Sequence, residues 1–400
     1  MNFSFDDQQL EFRSQLRSVL DRECTPAALR AAFDRAASGA LPDRARWGRL
    51  AEMGVVGMTA PEARGGLGLG LVDLIGLLEE AGRAGLPEPL SETTAVVVPL
   101  LVRLSEGGAN AVASGSRPDA SAKAGHADGQ PDRIFDRILD RIVVGELIAT
   151  VVTDPAAGVW VDGADLMVVA QPERVLLGFA ADVRTTRVGC LDATRRLGTV
   201  DTPLVASDWT VLAEGPTAEA AFADVELAGC VSAASVLLGV ADRLIELACD
   251  HARNRHQFGA PIGSFQAVKH LIANAYVALE MARPVVYAAA CELDSAGAGG
   301  YEAPTVAGAS SSVQNRRLAH DDGALSDDGA VARSCSMAKA VASEAALKAA
   351  AAALQVHGAI GYTWEHDLHF WMKRAWFLAA SWGDARTHYA KVLESLIQTA

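Results

Sequence analysis

The residues best suited to chemistry gather at 253–266, Arg-Asn-Arg-His-Gln-Phe-Gly-Ala-Pro-Ile-Gly-Ser-Phe-Gln, a basic elbow in a chain of formal net charge −14. Three cations (Arg253, Arg255, Lys269) and two amides (Gln257, Gln266) stand where one helical pattern ends and another begins. Backbone N–H groups at a helix start, joined by such side chains, can hold a phosphate or pyrophosphate. Cations near a helix C-terminus also answer its dipole, and this plainer reading is the commoner one. A second candidate is 355–367, where Gly358 and Gly361 would let backbone approach a ligand closely. The alternative there is a helix end capped by Gly358. His357, His366 and His369 cluster in the same region without paired carboxylates, so they read as surface histidines and no metal site is expected.

These residues need helices to place them. Leu237, Leu238, Ala241, Leu244, Ile245, Ala248 and Ala252 recur at three- and four-residue spacing and run an apolar stripe into the elbow. Gly259, Pro261 and Gly263 stop that helix, and Phe265, Val268, Leu271, Ile272, Ala275, Tyr276 and Leu279 restart the period. Alanine-rich residues 335–354 form a strong helix whose small side chains let neighbouring helices approach. Residues 1–105 also read as helical, interrupted at 60–70 by a glycine-rich segment. That segment lacks the Lys-Ser/Thr of a P-loop and the strand of a dinucleotide fold, so it reads as a tight turn between helices. From 145 the pattern changes to β-branched clusters at 148–152, 166–170 and 175–177, spaced as short strands.

The expected fold is α+β, mostly α. An N-terminal helical domain spans 1–144 with a mobile loop at about 106–133. A small middle β domain spans 145–226, and a C-terminal four-helix bundle spans 227–400 with a polar loop inserted at about 295–332.

Composition excludes several classes. The acidic balance argues against nucleic acid as the main partner. Six scattered cysteines without a C-x-x-C pair read as thiols of a reducing compartment. The first residues lack a basic start and an apolar run, so no secretory signal is expected and the cytoplasm is the default. No uninterrupted apolar run reaches the roughly 18 residues of a membrane span.

At the elbow the chain resembles the acyl-CoA dehydrogenase family, whose signature R-x-x-F-G-x-P-I-x-x-F-Q is met by Arg255, Phe258, Gly259, Pro261, Ile262, Phe265 and Gln266. The resemblance implies FAD as cofactor, with Arg255 and Gln266 on its adenosine diphosphate side and Gln257 and Phe258 beside them. That portion is usually bound by a neighbouring subunit, which implies a homo- or hetero-oligomer. Gln355, Gly358, Gly361, Tyr362 and Glu365 match the family's Q-x-x-G-G-x-G-[YF]-x-x-E stretch on the FAD pyrophosphate, with Ala359 replacing its second glycine. Residues 61–68 match P-E-x-x-G-G-x-G, and 153–158 resemble T-E-P-x-A-G, which would set Thr153 against the flavin ring. The Ser-Asp that follows in the family and its W-I-T strand are missing; Trp160 and Trp209 lack that context.

The reaction the resemblance implies is α,β-dehydrogenation of an acyl-CoA thioester, with an electron-transfer flavoprotein as electron acceptor. It needs a desolvated glutamate as base. Of the family's two base positions, one aligns with Trp382 and the other with Gly229. The nearest carboxylates are Asp384 and Glu226. Three readings follow: Asp384 serves as a relocated base, the chain is the non-catalytic partner in a heteromeric dehydrogenase, or it is a helical scaffold without FAD.

Overall fold

In the computed structural model, residues 5–106, 132–205, 207–297 and 328–398 are described. Most of the two expected loops, at about 106–133 and 295–332, lies outside them. Helix α1 (Asp7–Glu23) starts from a reciprocal capping box, in which the Asp6 carboxylate accepts from the Gln9 backbone and the Gln9 amide oxygen accepts from the Asp6 backbone. Helix α2 (Pro26–Ala37) opens on proline behind a Thr25 cap, and α3 (Ala45–Glu52) buries Trp47 and Leu50. The glycine-rich segment is indeed a turn. A side chain at Gly66 would meet the Ala60 carbonyl oxygen at 2.1 Å. The helix it leads into, α4 (Leu71–Ala84), has its first amides taken by the Asp294 carboxylate, at 3.0 Å from Leu71 N and 2.9 Å from Val72 N. A protein carboxylate thus occupies the place that a phosphate cradle would keep for its ligand.

A π-helix (Ser91–Val97), α5 (Val98–Glu106) and α6 (Asp132–Val143) complete the first helical region. Strands β1 (Ala149–Val152), β2 (Leu166–Gln171), β3 (Arg174–Phe179) and β6 (Thr210–Glu214) make one sheet in the order β1-β2-β3-β6, while β4 (Thr185–Arg187) and β5 (Gly198–Val200) pair separately. β1 and β2 are parallel and the other pairs antiparallel. The first three strands are buried along nearly their whole length, which is why they read as continuous apolar runs rather than alternating ones.

Helix α7 (Pro216–Asn254) starts well before the expected border at 227, because Gly215 turns at φ 61° and Pro216 sits at the first helical position. A two-residue hairpin follows, β7 (His256–Gln257) with β8 (Ala260–Pro261), then α8 (Gln266–Ser295), α9 (Asp328–His357), α10 (Leu368–Ala380) and α11 (Ala385–Gln398). α9 packs against both α7 and α8, and α10 and α11 cover it. α4 crosses α7 where glycines allow backbone contact: a side chain at Gly239 would lie 1.8 Å from the Glu79 carbonyl oxygen, and one at Gly82 2.1 Å from that of Val236. Among the described residues α7 alone is long and apolar enough to cross a membrane, and 67% of its apolar window is buried in this core.

Charge also ties the layers together. The Glu79 carboxylate, 1% exposed, accepts from Arg13 of α1 (2.7 Å) and from Arg283 (2.6 Å) and Tyr287 (2.5 Å) of α8, while Glu80 takes Arg13 and Arg17 at 2.6 Å each. The arginines supply enough donors to offset the cost of burying two carboxylates.

Candidate functional site

The elbow is a type of hairpin that forces its tip outward. Phe258 and Gly259 both adopt positive φ, 52° and 79°, the pair of left-handed residues that a two-residue hairpin turn requires. Phe258 is 93% exposed and packs edge-on only to Phe265, with ring centroids 6.1 Å apart. Arg255, Gln257 and Gln266 are exposed too. Arg253 is tied to Asp250 at 2.7 Å, whereas Arg255 has no ion-pair partner among the described residues. A large side chain held in a costly backbone conformation, beside a cation without an ion-pair partner among the described residues, makes this surface a candidate binding site. An apolar groove of about 670 Å³, lined by Ile245, Cys249, Val268, Ile272 and Tyr276 among others, flanks it.

The second stretch meets the elbow at the same end of the bundle. The ring of His251, on the last turn of α7, lies 4.3 Å from that of His357 at the end of α9, and the His366 ring lies 4.6 Å from His357 on the other side. Gln355 and Gly358 are exposed. Gly358 turns at φ 63° with open space where a side chain would be, while Gly361 is enclosed by Leu354, His357 and Leu368. The surface reading of the histidines needs correction: His357 and His369 are buried. His357 donates from Nδ1 to the Ala353 carbonyl at 2.7 Å, and burial holds both imidazoles down to about 4. No group of side chains among the described residues is arranged to hold a metal ion.

Thr153, half-buried just past β1, has no hydrogen bond or ring contact to the elbow among the described residues.

The two positions expected to hold a base come together. A side chain at Gly229 would lie 2.5 Å from the Trp382 ring, so the indole rests on the glycine backbone and fills the space between them. Trp382 and Gly383 follow one another at φ 58° and 91°, a turn that costs a tryptophan on the order of 1 to 3 kcal/mol. Two buried side chains pin it. Lys339, fully buried on α9, donates to Ser343 Oγ (3.0 Å), the Ala379 carbonyl (3.2 Å) and the Gly383 carbonyl (3.0 Å). His388 Nε2 lies 2.9 Å from the Trp382 carbonyl, which makes that nitrogen the donor and leaves its buried Nδ1 unpartnered. Burial with no carboxylate bonded to it lowers Lys339 to about 8.

Asp384 does not have the surroundings a base needs. It is exposed and caps α11, accepting from Thr387 N at 2.8 Å and Thr387 Oγ1 at 2.7 Å. Those bonds hold its carboxyl below the usual aspartate range, opposite to the upward shift of a desolvated base. Glu226 is half-exposed and paired with Lys391 at 3.7 Å. Sequence reasoning missed Lys339 and His388. The available signal was Lys339 and Ser343, four residues apart among the alanines of one helix face.

Family models for the acyl-CoA dehydrogenase N-terminal and C-terminal domains match residues 6–106 and residues 229–312 with 311–396. The chain is 31% identical over 380 residues to acyl-CoA dehydrogenase IpdE2 of Mycobacterium tuberculosis, covering 92% of this chain and 91% of that protein. Among solved structures it resembles the ChsE4-ChsE5 complex of Mycobacterium tuberculosis (TM-score 0.74, 19% identity, all of both chains covered) and PigA with FAD and proline (TM-score 0.72, 16% identity, all of both chains covered). The chain belongs to the acyl-CoA dehydrogenase family.

Proposed function

We propose that this chain serves the FAD-dependent α,β-dehydrogenation of acyl-CoA thioesters as the subunit that helps hold the flavin and supplies no base of its own. The observation that carries this reading is the indole of Trp382 seated on Gly229, which leaves no carboxylate at either base position. The scaffold reading is weakened by the elbow, where Phe258 is 93% exposed and Arg255 has no ion-pair partner among the described residues.

The residues present fit FAD. Arg255 would bond the diphosphate or adenosine side with Gln266 and Gln257 beside it, and Phe258 would cover it. Gln355 and the open backbone at Gly358 would face the pyrophosphate, and Thr153 the ring. Bound there, FAD would accept the hydride from the β-carbon of the substrate. The proton from the α-carbon needs an acceptor, and this chain presents only carboxylates in water or in ion pairs nearby. A second, homologous chain bearing the glutamate is the simplest source. The exposed apolar residues Tyr276, Val277 and Met281 of α8, next to the groove, suit such an oligomer. That the similar structure is a ChsE4-ChsE5 complex supports the same assignment. An electron-transfer flavoprotein is proposed as the acceptor, and the cytoplasm as the setting.

Co-expression with a base-bearing homologue, followed by size-exclusion light scattering and flavin absorbance, tests the reading. A mixed oligomer with FAD is expected. A monomer that binds full flavin by itself would reject it.

A further inference from the structure

We propose that Lys339 is the positioning residue of the 381–384 turn, its ammonium group holding Trp382 as a plug over Gly229. The claim concerns this chain's own turn and stands whether or not the flavin reading does.

The turn is unfavourable as backbone, with Trp382 and Gly383 both left-handed, so something outside it must hold it. Lys339 reaches across from α9 and bonds the carbonyls on both sides of Trp382, Ala379 at the end of α10 and Gly383 after the indole. Its third bond goes to Ser343, whose hydroxyl in turn donates to the Lys339 carbonyl at 2.7 Å and fixes the local geometry. A buried ammonium with only neutral acceptors is costly, and here all three of its donors are used. Gly383, at φ 91°, disfavours any larger residue, and a side chain there would also crowd His388 Nε2 at 3.0 Å. The indole is thus clamped between two pinned carbonyls and laid on Gly229, where a side chain would meet the ring at 2.5 Å.

The packed surroundings contain Cys230 and Glu226 of α7, Cys335 of α9 with Glu292 of α8, Asp384 ahead of α11, and His388 and Lys391 of α11. Burial pushes the Cys230 thiol up to about 12 and Cys335 upward as well, while His388 and Asp384 lie below their ordinary values. Among these shifted groups Lys339 is the one that releases a proton near pH 8. The neutral amine keeps two N–H donors for three acceptors, so one contact is lost and the plug loosens.

The test is 19F NMR of the full chain labelled with 5-fluorotryptophan. Its seven tryptophans give seven resonances, and the one missing in Trp382→Phe is Trp382. In the wild type that resonance is expected to move with a midpoint near pH 8. In Lys339→Gln, which keeps two N–H donors and does not titrate, the movement is expected to vanish. In Lys339→Met, without donors, the line is expected to at least double in width at pH 7. A wild-type resonance that stays put between pH 7 and 9, or a transition that persists in Lys339→Gln, overturns the proposal, as does an unchanged line in a folded Lys339→Met. If Lys339→Met does not fold, the wild-type and Lys339→Gln titrations decide.

Discussion

The two ends of the proposed site have been treated in opposite ways. At the elbow the polar signature residues Arg255 and Gln266 are exposed: Arg255 has no ion-pair partner among the described residues, and Phe258 stands 93% exposed on a strained turn. At the 381–384 turn Trp382 meets Gly229 of α7, the two positions where the resemblance would set a base, and the indole fills the space between them and is held by buried donors. The difference fits the proposal that the elbow serves the cofactor while the 381–384 turn serves packing.

The comparison is broken most directly by restoring the lost half. Trp382→Glu places a carboxylate against Gly229, within the half-buried turn. In the flavin-loaded protein, anaerobic bleaching by an acyl-CoA thioester should accelerate by roughly 10²-fold or more, the scale of a general base. A variant that binds flavin but shows no gain would mean the turn no longer faces substrate. On the other half, Arg255→Ala removes a charge-assisted contact of about 1.5 to 3 kcal/mol and should weaken FAD at least about tenfold in a fluorescence titration of the oligomer.

A smaller effect probes the junction of α7 and α9. His357 is held down to about 4, so it is neutral when folded and must charge when unfolded below its ordinary pKa. The stability it contributes is present above about pH 6.5 and lost as pH falls toward 4, because the unfolded chain then binds the extra proton. Thermal melts at pH 7 and 4.5 should differ by roughly 1 to 2 kcal/mol more in the wild type than in His357→Gln. The smallest effect belongs to Asp384→Asn. An exposed cap should leave flavin bleaching in the mixed oligomer within about twofold of wild type, well below the range of a lost base.

Much of this was legible in the sequence because it is periodic or fixed by a turn. The stripe from Leu237 to Ala252 gave α7 and the pattern after Phe265 gave α8, since helices bury one face at regular spacing. Gly259, Pro261 and Gly263 marked a stop through backbone geometry alone, and the three strand clusters were visible as apolar runs. The early start of α7 was hidden because residues 216–226 carry mixed polarity, and only Gly215 and Pro216 set the boundary. The solvation of Asp384 was not legible because nearness in sequence to an expected base position says nothing of burial, and a carboxylate before a helix is first of all a cap. Lys339 was invisible because a lysine in a helix ordinarily faces water, and the carbonyls it binds come from a turn some forty residues away, the distance its bonds to Ala379 and Gly383 span.

The central claim is that this chain holds flavin without a base, and anaerobic flavin bleaching tests it most directly. The chain, supplied with FAD, is mixed with an acyl-CoA thioester alone and then together with a homologous chain that carries the glutamate. The account predicts no bleaching alone and full bleaching in the mixed oligomer, lost when the homologue's glutamate is changed to glutamine. Bleaching by this chain alone, at a rate unaffected by the partner, would contradict it.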